Sequence, residues 1–255
     1  MNPYDIEQLK KNPTRVVFAS DWHVPQHDRR LFSLFLKAMA DVKPDIIIMG
    51  GDVIDNYAVS KYEKDPDKLT NLDDDIAEVR KVLSAICHYC DRMIYLGGNH
   101  EARLRKYILR GAPQLLTLHA HDMRRLLELK ALGIEYLEYG GVFWIGPMGF
   151  THGDKVAKWS GHSVKSMSTD LMANLCIGHC HRQGVFYHTA GRRQLLGIEA
   201  GTMADKKLAS DYMDRPPNWQ QGFAFFEIGG SIHWELPHYD GNSFRLCGKI
   251  YGGKK

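Results

Sequence analysis

Short apolar runs alternate with stretches of helical period over the first hundred residues. TRVVFAS at 14–20, DIIIM at 45–49 and RMIYL at 92–96 read as strands buried on both faces, because their apolar residues run unbroken instead of alternating. Between them, 29–40 and 72–86 carry apolar residues at helical spacing, and the second opens on an acidic run that suits a helix N-terminus. The stretch 101–132 predicts two basic helices interrupted around Gly111 and Pro113. The second half is richer in strands, at 142–145, 149–152, 175–178, 185–189, 222–228 and 232–236, with one helix over 161–173. Residues 245–255 show no clear pattern and are expected to fray. This alternation predicts an α/β protein, and with no repeat or biased linker the whole chain, 1–255, is expected to form one domain.

Composition narrows the class without choosing a function. The chain has 255 residues, 44% apolar and 25% charged, which excludes collagenous, disordered and low-complexity proteins. No apolar run approaches the roughly 18 residues of a membrane helix, and 143–150 is broken by Gly146, Pro147 and Gly149. The first fifteen residues lack an apolar core, so no secretory signal is expected. A net charge of +3 is too small to imply a polyanionic partner, but its distribution is uneven. Residues 63–78 are mostly acidic and 103–130 mostly basic, which fits two solvated helix faces. Five cysteines, an odd number, point to reduced thiols and a cytoplasmic location. Cys87 and Cys90 form a CxxC, but Cys176 and Cys180 do not supply the second pair of a zinc ribbon, so buried thiols are expected.

Chemistry gathers where strands end. The first predicted strand runs into Asp21-Trp22-His23, the second into Gly50-Gly51-Asp52-Val53-Ile54-Asp55, and the third into Gly97-Gly98-Asn99-His100-Glu101. Later strands run into Thr151-His152-Gly153-Asp154 and Gly178-His179-Cys180-His181. Carboxylates, imidazoles and an amide delivered to one edge of an α/β sheet make a mixed oxygen and nitrogen environment for divalent transition metals. The glycines before Asp52, Asn99 and His179 suit tight turns with close backbone approach. Each cluster alone is common. There is no GxSxG, and no glycine-rich loop long enough to cradle phosphates.

The five clusters in this order resemble the calcineurin-like metallophosphoesterase superfamily, whose motifs run DxH, GDxxD, GNH[DE], a later His and GHxH. The resemblance spans Val16 to His181. It implies a four-layer αββα sandwich of two mixed sheets flanked by helices, with 101–135 as a small helical cap inserted over the metals. It implies two divalent ions, Mn first and Fe, Zn or Ni as alternatives, bridged by Asp52. One ion would also take Asp21, His23 and His181, and the other Asn99, His152 and His179. His100 would serve the leaving oxygen, and Asp55 would orient a histidine. Adjacent side chains of an extended segment point apart, so Asn99 can face an ion while His100 reaches the leaving group. Glu101 occupies a position often held by Asp. The implied reaction is hydrolysis of a phosphoester by a metal-activated hydroxide, with no serine or cysteine nucleophile.

Substrate signals are the basic residues that follow the motifs. Arg103, Arg105, Lys106 and Arg110 could line a groove for an extended anion, and Lys155, Lys158, Lys165 and Arg182 follow the later histidines. Trp22, Tyr57, Tyr62, Trp159 and Trp219 offer stacking faces, and the segment around Arg215, Pro216 and Trp219 could close one side of the pocket. These residues favour a phosphodiester, nucleic acid or nucleotide, with a phosphomonoester or phosphoprotein as the alternative. A third reading, a metal-free binding scaffold, is implied by superfamily members that have lost their ligands, whereas here every ligand position is filled. His27 and His162 could touch substrate, and His188 could lie near it, although structural roles suit all three. His119 and His121 straddle one residue of a predicted helix and so cannot share an ion.

Overall fold

A computed structural model describes residues 9, 12–66, 69–118, 121–207 and 217–253. Two mixed sheets carry the fold. The first contains β1 (Thr14–Ala19), β2 (Ile46–Met49), β3 (Arg92–Leu96), β4 (Glu135–Leu137), β10 (Ala224–Ile228) and β11 (Ile232–Glu235), in the order β11-β10-β1-β2-β3-β4. β1 to β4 run parallel, and β10 closes antiparallel on β1 with Thr14 opposite Ile228. The second sheet contains β5 (Phe143–Ile145), β6 (Met148–Thr151), β7 (Asn174–Ile177), β8 (Gln183–Ala190) and β9 (Arg193–Ala200), in the order β5-β6-β7-β9-β8. Its central three strands are parallel.

Alternation along the buried strands assigns each side chain to a layer. Val16 and Phe18 of β1, with Ile46 and Ile48 of β2, face Phe150 of β6, Cys176 of β7 and Ile198 of β9 in one core between the sheets. Val17 and Ala19, with Ile47 and Met49, point the other way into a second core beneath α1 (Arg29–Val42) and α2 (Leu72–Cys87). Leu31, Leu34, Phe35, Ala38, Met39 and Val42 form the buried stripe of α1 at helical spacing. Asp28 caps α1 by accepting from the backbone N–H of Leu31 at 2.8 Å, and Asn71 caps α2. On the far side of the second sheet α5 (His162–Leu171) sets Val164 against Leu175 and Ile177. The layers are helix, sheet, sheet, helix, as expected.

Three expectations change. The basic stretch forms one full helix, α3 (Glu101–Gly111), a 3-10 turn at Pro113–Leu118 and a four-residue α4 (Met123–Leu126). The segment 101–135 is therefore not a free-standing insertion throughout, because Met123, Leu127, Leu129 and Ile134 are buried in the core beneath α2. Most of the stretch expected to fray is ordered: β12 (Ser243–Leu246) and β13 (Lys249–Gly252) pair antiparallel, and Phe244, Leu246 and Tyr251 join the core of α1. Finally, Asp75 lies in the acidic run yet is buried, its carboxylate accepting from the Thr70 hydroxyl at 2.6 Å. Asp67, Lys68, His119, Arg215 and Pro216 lie outside the described residues.

Candidate metal centre

The strand ends meet at one rim. Asp21 and His23 follow β1, Asp52 and Asp55 follow β2, and Asn99 and His100 follow β3, while His152 follows β6 and His179 and His181 follow β7. Backbone bonds fasten the first two loops together: Asp21 N–H donates to Gly51 O at 3.0 Å, and His23 N–H to Asp52 O at 3.0 Å. Asp21, His23, Asp52, His179 and His181 all adopt left-handed backbone angles, φ 49° to 63°. Asp and His enter that region more readily than bulkier residues, which lets short loops aim these side chains inward. At Gly98 a Cβ would fall on the Asp52 carboxylate, and at Gly178 on the Ser20 hydroxyl, so side chains there would fill the rim.

The donors form three groups, Asp21 with His23 and His181, His23 with Asp55 and His100, and Asp52 with His152 and His179, the first two sharing His23. The imidazoles of His23 and His181 face each other with Nε2 to Nε2 at 3.1 Å. His181 Nε2 stands 3.0 Å from Asp21 Oδ1, and Asp52 Oδ2 is 3.4 Å from His152 Nε2. Asn99 Oδ1 lies 3.2 Å from the same His152 nitrogen. Asp55 contacts two histidines, His23 Nδ1 at 3.3 Å and His100 Nδ1 at 2.9 Å. Asp55 Oδ2 and His181 Nδ1 are buried without a hydrogen-bond partner. His181 Nε2 is crowded by both His23 Nε2 and Asp21 Oδ1 while Asp55 Oδ2 is left unpaired, and a cation in their midst satisfies the set better than its members satisfy one another. The donor set, carboxylate and imidazole with an amide, fits divalent transition metals.

Electrostatics agrees. Burial alone would raise the Asp21 carboxyl, but His181 and His152 outweigh it and pull it down to about 2. Burial likewise opposes ionisation of Asp52 and Asp55, and the surrounding histidines hold both well below the usual carboxylate range. His152 resists its burial because Asp52 lies beside it, and it is pushed up to about 10. Burial, reinforced by His152, lowers His179 and keeps its lone pair available.

The structure also gives Glu101 a role that the sequence does not reveal. Oε2 of this buried carboxylate accepts from the N–H groups of Asp52 at 3.0 Å and Gly98 at 2.7 Å. Oε1 accepts from Val53 N–H at 2.8 Å and from the Tyr95 hydroxyl at 2.7 Å. Glu101 therefore pins the loops after β2 and β3 from behind the donors. The available signal was an acid in the first turn of α3, an ordinary helix preference.

Other readings are relocated. His100 does not lie in an extended segment: φ −75° and ψ −38° make it the first helical corner of α3. Its Nε2 faces Arg103, whose guanidinium donates to it at 2.6 Å and to Asp55 O at 2.8 Å. Arg105 does not share that groove; it lines a separate cleft of about 260 Å³ with Asp122, Tyr136 and Glu138. Arg182 is committed to backbone, donating to Ala157 O and Asn218 O. Lys155 pairs with Asp170. Trp22 is fully buried against Phe32 and Phe35 and cannot stack on a ligand, and Tyr57 is buried as well. Trp219 meets the His181 ring edge-on at 4.2 Å, whereas Tyr62 and Trp159 are 65% and 58% exposed. His27 packs on Phe32, and His162 and His188 are exposed; none joins the donor groups. Cys176 and Cys180 are buried free thiols, while Cys87 and Cys90 are partly buried.

Two mixed sheets with this rim define a metallophosphoesterase-type sandwich. Residues 14–183 match the family described as calcineurin-like phosphoesterase, and the chain belongs to that family. Over 93% of its length it is similar to the Gene 54 proteins of Mycobacterium phage L5, at 27% identity, and of Mycobacterium phage D29, at 26%, covering 98% of each. The fold is similar to that of Vacuolar Protein Sorting 29 from Cryptosporidium parvum, with a TM-score of 0.51 and 16% identity over 94% of this chain and 96% of that one. No helix among the described residues is long and apolar enough to cross a membrane.

Proposed function

We propose that the chain is a dinuclear metal-dependent phosphoesterase acting on a phosphodiester of a nucleic acid or nucleotide. Asp21, His23 and His181 would hold one divalent ion, Asn99, His152 and His179 the other, with Asp52 between them. The observation that carries this reading is the crowding of His181 Nε2 by His23 Nε2 at 3.1 Å and Asp21 Oδ1 at 3.0 Å, with His181 Nδ1 buried and unpartnered. When bound, such an ion pair acidifies water and withdraws charge from phosphoryl oxygens.

The protein's own groups supply the rest. Asp55 receives His23 on one side and His100 on the other, which orients both rings. With Nε2 accepting from Arg103, His100 holds its proton on Nδ1 against Asp55. In its imidazolium form His100 carries a second proton on Nε2, and a substrate oxygen that competes for the guanidinium frees that N–H to donate to the leaving oxygen, while Arg103 meets charge on the phosphoryl group. A diester is favoured over a monoester because the site continues into a cationic cleft with room for a second substituent. The test is turnover of bis-p-nitrophenyl phosphate against p-nitrophenyl phosphate with added Mn²⁺, alongside elemental analysis. Two ions per chain and faster diester turnover, lost on chelation, are expected. Faster monoester turnover overturns the substrate reading, and metal-independent turnover overturns the mechanism.

A further inference from the structure

The cleft beside the donors measures about 420 Å³ and lies between residues 60–62 and α3. Asn99 and Arg103 line its inner end, and Lys61, Tyr62, Lys106 and Arg110 line the remainder, with no carboxylate among the lining residues. Arg103, Lys106 and Arg110 stand at i, i+3 and i+7 of α3 and so form one stripe, about 10 Å long at the helical rise. Arg103 is already engaged by His100 and Asp55. Lys61, Lys106 and Arg110 make no ion pair among the described residues. The cations are thus graded along the stripe, from one tied to His100 and Asp55 to two with no ion pair among the described residues. At the mouth, Tyr62 exposes most of its ring, with the Lys61 ammonium 5.1 Å from the ring centroid.

We infer that this cleft seats the nucleotide next to the scissile phosphate of a single-stranded nucleic acid, its base against Tyr62 and its phosphate between Lys106 and Arg110. The inference rests on the phosphodiester reading above. A cationic track beside an exposed aromatic ring is how proteins hold single strands without reading sequence. A duplex keeps its bases stacked inside and leaves Tyr62 nothing to stack on. Arg105, across the helix in a cleft shared with Asp122 and Glu138, takes no part.

The experiment compares kcat/KM for bis-p-nitrophenyl phosphate, a dinucleotide, a trinucleotide and a short duplex, all with Mn²⁺. The trinucleotide should exceed the dinucleotide by about tenfold, well beyond the twofold from its two bonds, and the duplex should be poorest. The double substitution K106A/R110A should collapse the trinucleotide-to-dinucleotide ratio and flatten the salt dependence by roughly 0.7 in slope per lost phosphate contact. K106R/R110K should restore both. Tyr62→Ala should lower the ratio of oligonucleotide to small-diester turnover by about five- to 150-fold, and Tyr62→Phe should preserve it. Ratios measured on one preparation separate subsite loss from misfolding. No turnover of bis-p-nitrophenyl phosphate means that the phosphodiester reading itself has failed. Turnover of that ester with equal use of dinucleotide and trinucleotide, a duplex cleaved as fast, or a ratio that survives K106A/R110A overturns the cleft assignment alone.

Discussion

Glu101 and Lys106 stand five positions apart on α3 and belong to different kinds of structure. Glu101 is buried, with both oxygens filled by loop N–H groups and the Tyr95 hydroxyl. Lys106 is exposed; its ammonium lies 5.8 Å from the Tyr139 ring centroid. The rim is over-determined, since left-handed corners, glycines without room for a Cβ and buried carboxylates all fix the same few side chains. The outer face of α3 is fixed only by helical geometry. The proposed chemistry, which demands sub-ångström placement, suits the first kind of structure, and adaptable recognition of a long anion suits the second.

The largest test of this contrast removes the charge between the proposed ions. Asp52→Asn should cut turnover by about 10³ or more and lower metal content at both positions. Two tightly held ions with activity near wild type would show that Asp52 is not shared. Next is the proton. His100→Gln should keep its metals yet lose about 10²–10⁴ in rate on an alkyl or ribose leaving group, and far less on nitrophenolate, which needs little protonation. Equal slowing on both esters, or metal loss, would count against that role.

Stability gives a direct contrast between the two ends of α3. Glu101→Ala strands several buried donors and should cost about 2–4 kcal/mol in urea unfolding, whereas Lys106→Ala should change stability by less than about 0.5 kcal/mol. Similar losses at both positions would erase the distinction. The smallest effect concerns Asp75, a carboxylate buried away from the rim. Burial raises its pKa above the usual 3.8. A carboxyl raised in the fold loses stability as pH climbs past its unfolded value, because ionisation then favours the unfolded chain. Asp75→Asn should therefore gain on wild type between pH 4 and pH 7, by less than about 1 kcal/mol. The opposite slope in urea unfolding would mean that the N-terminus of α2 stabilises the anion.

The rim was legible in sequence because strand ends announce themselves: an apolar run stops, and the next residues are Asp, His, Gly or Asn. The six residues Asp21, His23, Asp52, His152, His179 and His181 could be placed together without knowing a single distance. β9 was missed because Gly197 and Glu199 interrupt its apolar run, and both interruptions have partners across the second sheet. A Cβ at Gly197 would meet the Val164 methyls at 2.9 Å, while Glu199 accepts from Gly161, Ser163 and Val164 N–H at the start of α5. The hairpin of β12 and β13 was missed because four-residue strands carry too few alternations to register, and their worth comes from packing on α1. Arg103 and Arg105 look equivalent in sequence. Two helical positions separate them by about 200°, and only the structure shows which one faces the donors.

Five of the seven proposed ligand positions hold their backbone in left-handed conformations. Each costs a side-chain-bearing residue something on the order of 1 kcal/mol that glycine would not incur. Relief of that strain favours glycine at these corners, but at Asp21 and Asp52 it is opposed by the His179 and His100 N–H groups that their carboxylates accept at 2.8 Å. A lineage that stopped using the rim would be expected to record its retirement at these corners first. Protein engineers who chase thermostability here would meet relief of strain and loss of a proposed ligand in one and the same substitution.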